Sequence, residues 1–289
     1  MTGVQTCALP ISVPPTANGI WFETFGSATD PTLVLVNGLG SQCINYHEDW
    51  CRMFAAEGLH VVRFDNRDVG LSRRFAGAPV DGMGAAYHLS DMADDVIDVL
   101  DTLGVARAHV MGVSMGGMIV QQVAVDHPDR IITMTTVMST SGEPEYRRST
   151  PNAERLLTEP GATDREGYVR QWIEGLREWG SPGFADEARW RGEAERAFDR
   201  GYDPDGTARQ YLAIVASPPR AERMRSLTVP TLVMHGDRDT LIDQIGGRRT
   251  AELIPGARLE IIEGMGHDYP PGLWRRWTDL VVGHLRAHS

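Results

Sequence analysis

Apolar residues fall into two patterns along the chain. Short continuous runs occur at Gly19–Phe25, Thr32–Val36, Leu59–Phe64, Val110–Val113, Ile131–Met138, Pro230–His235 and Arg258–Ile262. Runs of this length, bounded by Gly, Pro, Asn and Asp, predict strands, and the continuously apolar ones predict strands covered on both faces. Between them the apolar positions recur at helical spacing. Met92, Val96, Val99, Leu100 and Leu103 form one stripe, with Ser90 as the predicted N-cap, acids in the first turns and Gly104 as the stop. Further helices are predicted over Tyr46–Ala56, after Ser114, over 245–253, and from Leu273 to Ala287. Alternating strands and helices imply an α/β fold with a mostly parallel, doubly wound sheet, whose site lies at the strand C-terminal ends.

The rhythm breaks after the sixth strand. Residues 140–226 are polar and punctuated by Pro and Gly, and hold helix-like segments at 167–179, 185–200 and 206–216 but no apolar strand run. This predicts a core made of 12–139 and 227–289, with 140–226 inserted as a helical cap. Trp172, Ile173, Leu176 and Trp179 share one helical side; Trp190, Ala194 and Phe198 share another. Such stripes read first as packing between cap and core. Together they would also roof an apolar pocket, so Trp172, Trp179 and Trp190 are the candidate substrate contacts.

Composition narrows the function. A 289-residue chain with 42% hydrophobic residues supports a large core. A net charge of −11 argues against a nucleic-acid or anionic-membrane partner. No run reaches the roughly 18 apolar residues of a membrane-spanning helix, and the N-terminus lacks a signal-peptide pattern. Cys7, Cys43 and Cys51 form neither a disulfide framework nor a metal-ligand spacing, so a reducing, cytoplasmic compartment is expected. Residues 1–11 back-translate to a string resembling a short-read sequencing adapter, and are expected to be a non-native scar that carries no function.

The chemistry starts at Gly112-Val113-Ser114-Met115-Gly116. This is G-x-S-x-G between an apolar run and a helical stretch, the form of a nucleophile elbow. A serine at the tip of a sharp strand-to-helix turn is strained, and the positions two before and two after it lie against neighbouring backbone, where Gly fits. The turn presents the hydroxyl above the sheet, beside the free N–H groups of the helix start.

Over nearly its whole length, from about residue 16, the chain resembles the α/β-hydrolases. Leu33-Val-Leu-Val-Asn-Gly, Gly58-Leu-His-Val-Val-Arg-Phe-Asp-Asn-Arg-Asp, the elbow, and Ile262-Glu-Gly-Met-Gly-His carry the resemblance, which is strongest to the aclacinomycin methylesterase-like hydrolases and extends to serine-dependent macrolide esterases. It implies a triad in the order Ser114, Asp239, His267: nucleophile, orienting acid, and base after the last strand. A serine hydroxyl needs a base, an imidazole can take and return its proton near neutral pH, and a buried carboxylate holds the imidazole tautomer. Asp239 matches the Gly-x-x-Asp placement after Gly236, with Asp237 as rival; the nearest acid after the sixth strand is Glu143. His235, beside Asp237, reads as a core residue with a satisfied hydrogen bond. The loop Asn37-Gly38-Leu39 implies the backbone N–H groups of Leu39 and Met115 as the oxyanion pair. In Asp65-Asn66-Arg67-Asp68-Val69-Gly70-Leu71-Ser72, Asp68 stands where relatives carry Gly; the acid and Arg of this segment read as structural.

The expected activity is hydrolysis of a small-molecule carboxylic ester or lactone, such as a polyketide methyl ester or a macrolide, through an acyl-enzyme and without metal or organic cofactor. A perhydrolase, a C–C hydrolase or an acyltransferase would share the triad, and some relatives of this fold act as ligand receptors. Ser114 at the elbow argues against dehalogenases and epoxide hydrolases, which use an Asp there.

Overall fold

The apolar runs become the strands of one sheet. The computed structural model describes residues 11–12, 15–80 and 84–288. Its strands are β1 (Ile11–Ser12), β2 (Phe22–Phe25), β3 (Thr32–Val36), β4 (His60–Phe64), β5 (Ala108–Val113), β6 (Ile131–Val137), β7 (Thr231–Gly236) and β8 (Arg258–Ile262). They lie side by side in the order β1-β2-β4-β3-β5-β6-β7-β8. β2 runs antiparallel to both neighbours, and every pair from β4 to β8 is parallel. Parallel strands need long crossovers, and these are supplied by helices on both faces.

The helices are α1 (Glu48–Ala56), α2 (Leu89–Thr102), α3 (Met115–Asp126), α4 (Pro151–Thr158), α5 (Arg165–Trp179), α6 (Glu187–Gly201), α7 (Pro204–Ala216), α8 (Ala221–Met224), α9 (Ile245–Leu253) and α10 (Pro271–Arg286). On one face of the sheet Val34, Val62 and Val110 pack against Met92 and Val96 of α2 and Ile119 of α3. On the other, Leu33, Leu35, Val61 and Met111 pack against Trp50 and Phe54 of α1 and Trp277 and Val281 of α10. Alternate side chains of each strand thus enter opposite cores, which is why the central strands read as continuous apolar runs.

Helices α4 to α8 all lie between β6 and β7. Among them α5 and α6 share a separate small core of Tyr168, Val169, Ile173, Trp190, Ala194 and Ala197. Of the helices between β6 and β7, α4 and α8 were not expected. α4 has a start signal in plain view: the Thr150 side chain accepts from the Ala153 N–H, and Pro151 occupies the first helical position, where its missing N–H costs nothing.

Ser90 is not the cap of α2. The helix begins two residues earlier, at Leu89, with His88 as N-cap in a reciprocal capping box with Asp91. Asp91 reaches back to the His88 N–H at 2.7 Å, which leaves Ser90 inside the first turn. Of the eleven N-terminal residues expected to be a scar, 1–10 lie outside the described residues, Cys7 among them. Ile11 pairs with Thr24 at the sheet edge.

The segment after β4 is structural, as its residue types suggested. Asp65 accepts from the Cys43 and Leu71 N–H groups and pairs with Arg200 of α6 at 2.7 Å. Arg67 grips Asp95 of α2 through two nitrogens. Asp68 stands at φ 69°, the left-handed conformation that a glycine adopts at no cost.

Candidate active site

The elbow is built by close backbone approach. β5 ends at Val113, Ser114 takes φ 56° and ψ −120°, and α3 starts at Met115. A left-handed serine costs on the order of 1–3 kcal/mol and persists only where its surroundings enforce it. Here the Ser114 N–H donates to the Val137 carbonyl at 2.9 Å, and the Ser139 hydroxyl donates to the Ser114 carbonyl at 2.8 Å. A Cβ on Gly112 would strike the Gly116 carbonyl, and one on Gly116 would strike the Val36 carbonyl of β3. Both glycines of the motif are therefore required by space.

Two distant loops meet Ser114. The His267 Nε2 lies 2.8 Å from the Ser114 Oγ, and the His267 Nδ1 lies 2.7 Å from the Asp239 Oδ2. The carboxylate accepts only, so Nδ1 carries the proton and Nε2 is left to accept from the serine hydroxyl. The Asp239 side chain is wholly buried. Its Oδ1 accepts from the Leu241 and Ile242 N–H groups at 2.9 and 2.8 Å, which aims Oδ2 at the imidazole. Burial pushes this carboxyl up, but the electrostatic attraction of His267 and hydrogen bonds from His235 and His267 outweigh it and hold the acid down at about 2.

The rival acids are engaged elsewhere. Asp237 accepts from the Gly264 N–H at 2.7 Å, and Glu143 forms a two-pronged pair with Arg249. His235 is a buried core residue with a hydrogen bond, as expected, but it also touches the triad acid. Its Nε2 donates to the Ile242 carbonyl at 2.8 Å and also faces the Asp239 Oδ2 at 3.3 Å. Its Nδ1 is buried without a hydrogen-bond partner among the described residues, because α9 packs over it at Gly247, where a Cβ would sit 2.5 Å away. His235 is therefore both a core residue and a neighbour of the buried acid. The i, i+4 spacing from His235 to Asp239 at a strand end was the available signal.

Ser114 and His267 open onto a cavity of about 570 Å³. Leu39 and Met115 line it beside the serine. The Gly38 turn passes directly over the nucleophile, since a Cβ there would lie 3.2 Å from the Ser114 Cβ. Met115 opens α3, where the first N–H groups have no intrahelical acceptor. Trp172, Trp179 and Trp190 all reach the cavity. Trp190 is only 2% exposed and packs in the α5–α6 core as well, so it serves both as packing and as wall.

A family model described as the α/β-hydrolase fold matches residues 31–269. The chain belongs to the α/β-hydrolase family. This α/β-hydrolase is 29% identical to rhodomycin D methylesterase DauP of Streptomyces sp. (strain C5), over 93% of this chain and 95% of that one. It is 27% identical to a putative carbamate hydrolase RutD of Caulobacter sp. (strain K31), covering 95% and 98%. Among solved structures, the enol-lactonase of Burkholderia xenovorans LB400 superposes with a TM-score of 0.75 at 26% identity, covering 94% of this chain and all of that one.

Sequence reasoning missed part of this α/β-hydrolase's cavity wall. Leu156 and Leu157 come from α4, and Tyr269 and Trp274 follow the histidine. The first two sit on the helix that was overlooked. The last two belong to an aromatic cluster in which Trp50 and Trp274 stack at 5.8 Å. Among the described residues no group of His, Cys, Asp or Glu is arranged to hold a metal ion, and no helix is long and apolar enough to cross a membrane.

Proposed function

We propose that this α/β-hydrolase is a serine carboxylic-ester hydrolase that works through an acyl-enzyme. The observation that carries the reading is the continuous hydrogen-bonded line from Ser114 through His267 to Asp239, at 2.8 and 2.7 Å, on the wall of a cavity. His267 Nε2 takes the proton as the Ser114 Oγ attacks the acyl carbon. The carbonyl oxygen becomes an oxyanion, facing the N–H groups of Leu39 and Met115. Collapse expels the alcohol, which leaves with the proton from His267. Water then repeats the sequence on the acyl-serine and releases the acid. Asp239 holds the imidazole tautomer and offsets its charge throughout.

Residues 12–139 and 227–289 act as the catalytic core and 140–226 as the cap. Trp172, Trp179 and Trp190 form the apolar part of the roof. The similarity to a rhodomycin D methylesterase and to an enol-lactonase supports a substrate that is a polyketide methyl ester or a lactone. The test is a hydrolysis screen by mass spectrometry over simple esters, polyketide methyl esters and macrolides, with Ser114→Ala as control. Gain of one water marks lactone opening, and exchange of methyl for hydrogen marks methylesterase action. Conversion at wild-type rate by Ser114→Ala would sink the proposal.

A further inference from the structure

The base loop is held by a segment of the insertion that the triad chemistry leaves unexplained. Three successive residues, Gly266, His267 and Asp268, are each bonded to the stretch Trp179–Ser181 at the C-terminal end of α5. The Gly266 N–H donates to the Ser181 Oγ at 2.9 Å. The His267 N–H donates to the Trp179 carbonyl at 2.5 Å. The Asp268 Oδ1 accepts from the Ser181 N–H at 2.9 Å and from the Ser181 hydroxyl. Ser181 is 1% exposed and Asp268 8% exposed, so water competes little for these bonds. A Cβ on Gly266 would strike the Trp179 and Gly180 carbonyls, which shows how closely the two segments lie. The acid loop is tied to the same helix end: the Thr240 hydroxyl, next to Asp239, donates to the Glu178 carbonyl at 2.9 Å.

We infer that Ser181 is a positioning residue for the base, acting through Gly266 and Asp268 on either side of His267. Its hydroxyl is the hinge of the arrangement: it donates to one neighbour of the histidine and accepts from the other. Removing it breaks one bond on each side of His267 and leaves the Trp179 carbonyl and the Ser181 N–H as the remaining ties, while the imidazole must stay within hydrogen-bond reach of two partners at once. A misplacement near 1 Å in such a constellation costs on the order of 100-fold in rate. α5 also lines the cavity through Trp172, Leu176 and Trp179. One helix therefore shapes the substrate wall and ends in the clamp on the base.

This inference rests on the hydrolase reading above, and the experiment separates the two. Ser181→Ala, Ser181→Thr and Ser114→Ala are compared with the wild type by steady-state hydrolysis of a short p-nitrophenyl ester, with melting curves for each. Ser181→Ala is expected to lower kcat by about tenfold or more with KM within about twofold. Ser181→Thr, which keeps the hydroxyl, is expected to recover at least half of the wild-type kcat. A smaller loss in Ser181→Ala, or a loss that Ser181→Thr does not recover, overturns the inference. If Ser181→Ala fails to fold, Asp268→Ala takes its place with Asp268→Asn, which retains the Oδ1 acceptor, as the rescue, judged by the same limits. Full activity in Ser114→Ala overturns the hydrolase reading instead, whatever Ser181 does.

Discussion

The carboxylate of Asp68 and the guanidinium of Arg209 form a two-pronged ion pair, at 2.8 and 2.9 Å, between the loop after β4 and helix α7 of the insertion. Asp68 is fully buried and Arg209 is 3% exposed. The Tyr87 hydroxyl and the Phe75 N–H also donate to the same carboxylate, each at 2.8 Å. Asp68 occupies a left-handed position, which glycine adopts most easily, and the strain is offset by the anchor its carboxylate makes to α7.

Removing Arg209 leaves the buried Asp68 carboxylate without this counter-charge, held only by the Tyr87 hydroxyl and the Phe75 N–H. Arg209→Met is expected to lower unfolding free energy by about 3 kcal/mol or more. Asp68→Gly combined with Arg209→Met removes both charges and restores the residue suited to this φ, so the double variant is expected to be more stable than Arg209→Met alone. Urea unfolding of the wild type, Arg209→Met, Asp68→Gly and the double variant checks this. A double variant as unstable as the sum of the singles would show that the two side chains are not coupled.

Gly58, in the turn before β4, and Gly116 of the elbow separate two costs. Gly58 stands at φ 83° with open space where a Cβ would go, whereas Gly116 meets the β3 backbone. Gly58→Ala is expected to cost about 1 kcal/mol from conformation. Gly116→Ala is expected to cost about 3 kcal/mol, because β3 cannot yield without moving the sheet. Equal losses in thermal unfolding would contradict the packing argument.

Acid sensitivity follows from three buried histidines outside the site. Burial lowers His60, His109 and His284, and takes His109 down to about 4. The unfolded chain binds these protons near pH 6.5 while the folded chain resists them. Their contribution is therefore complete above about pH 6.5 and is lost as the pH falls toward 4. His109→Asn is expected to flatten this limb of a melting-temperature profile measured from pH 7 to 4. An unchanged slope would assign the acid limb to other groups.

Asp239 behaves in the opposite sense to a group that titrates in the working range. Held at about 2, it stays ionised across ordinary assay conditions. Its loss of charge cannot shape a pH–rate profile above about pH 4. Asp239→Asn replaces an acceptor by an amide that favours the wrong imidazole tautomer, and is expected to lower kcat by about 10⁴-fold with the fold retained. A drop of tenfold or less would move the orienting role to another residue, with His235 the nearest group to examine.

The parts legible in the sequence are those in which neighbours along the chain determine the outcome. β3, β5 and β7 announce themselves because both faces are covered, so Leu33–Val36, Val110–Val113 and Leu232–Met234 carry no polar side chain. Gly112 and Gly116 announce the elbow because the required space is local to one turn. What stayed hidden depends on residues far apart. Nothing near Ser181 points to Asp268, or near Asp68 to Arg209, since those pairs join segments 87 and 141 positions apart in the chain. α4 was missed because it is short and its exposed positions are polar. His235 was read from Asp237, its neighbour in sequence, whereas the strand end turns it toward Asp239.

The central claim is that Ser114 becomes acylated. The most direct measurement is intact-protein mass spectrometry of the enzyme quenched with acid during turnover of p-nitrophenyl acetate, followed by peptide mapping. The account predicts a transient acetyl adduct on the peptide containing Ser114, absent from Ser114→Ala. Ester turnover with no adduct on that peptide, continuing unabated in Ser114→Ala, would contradict it.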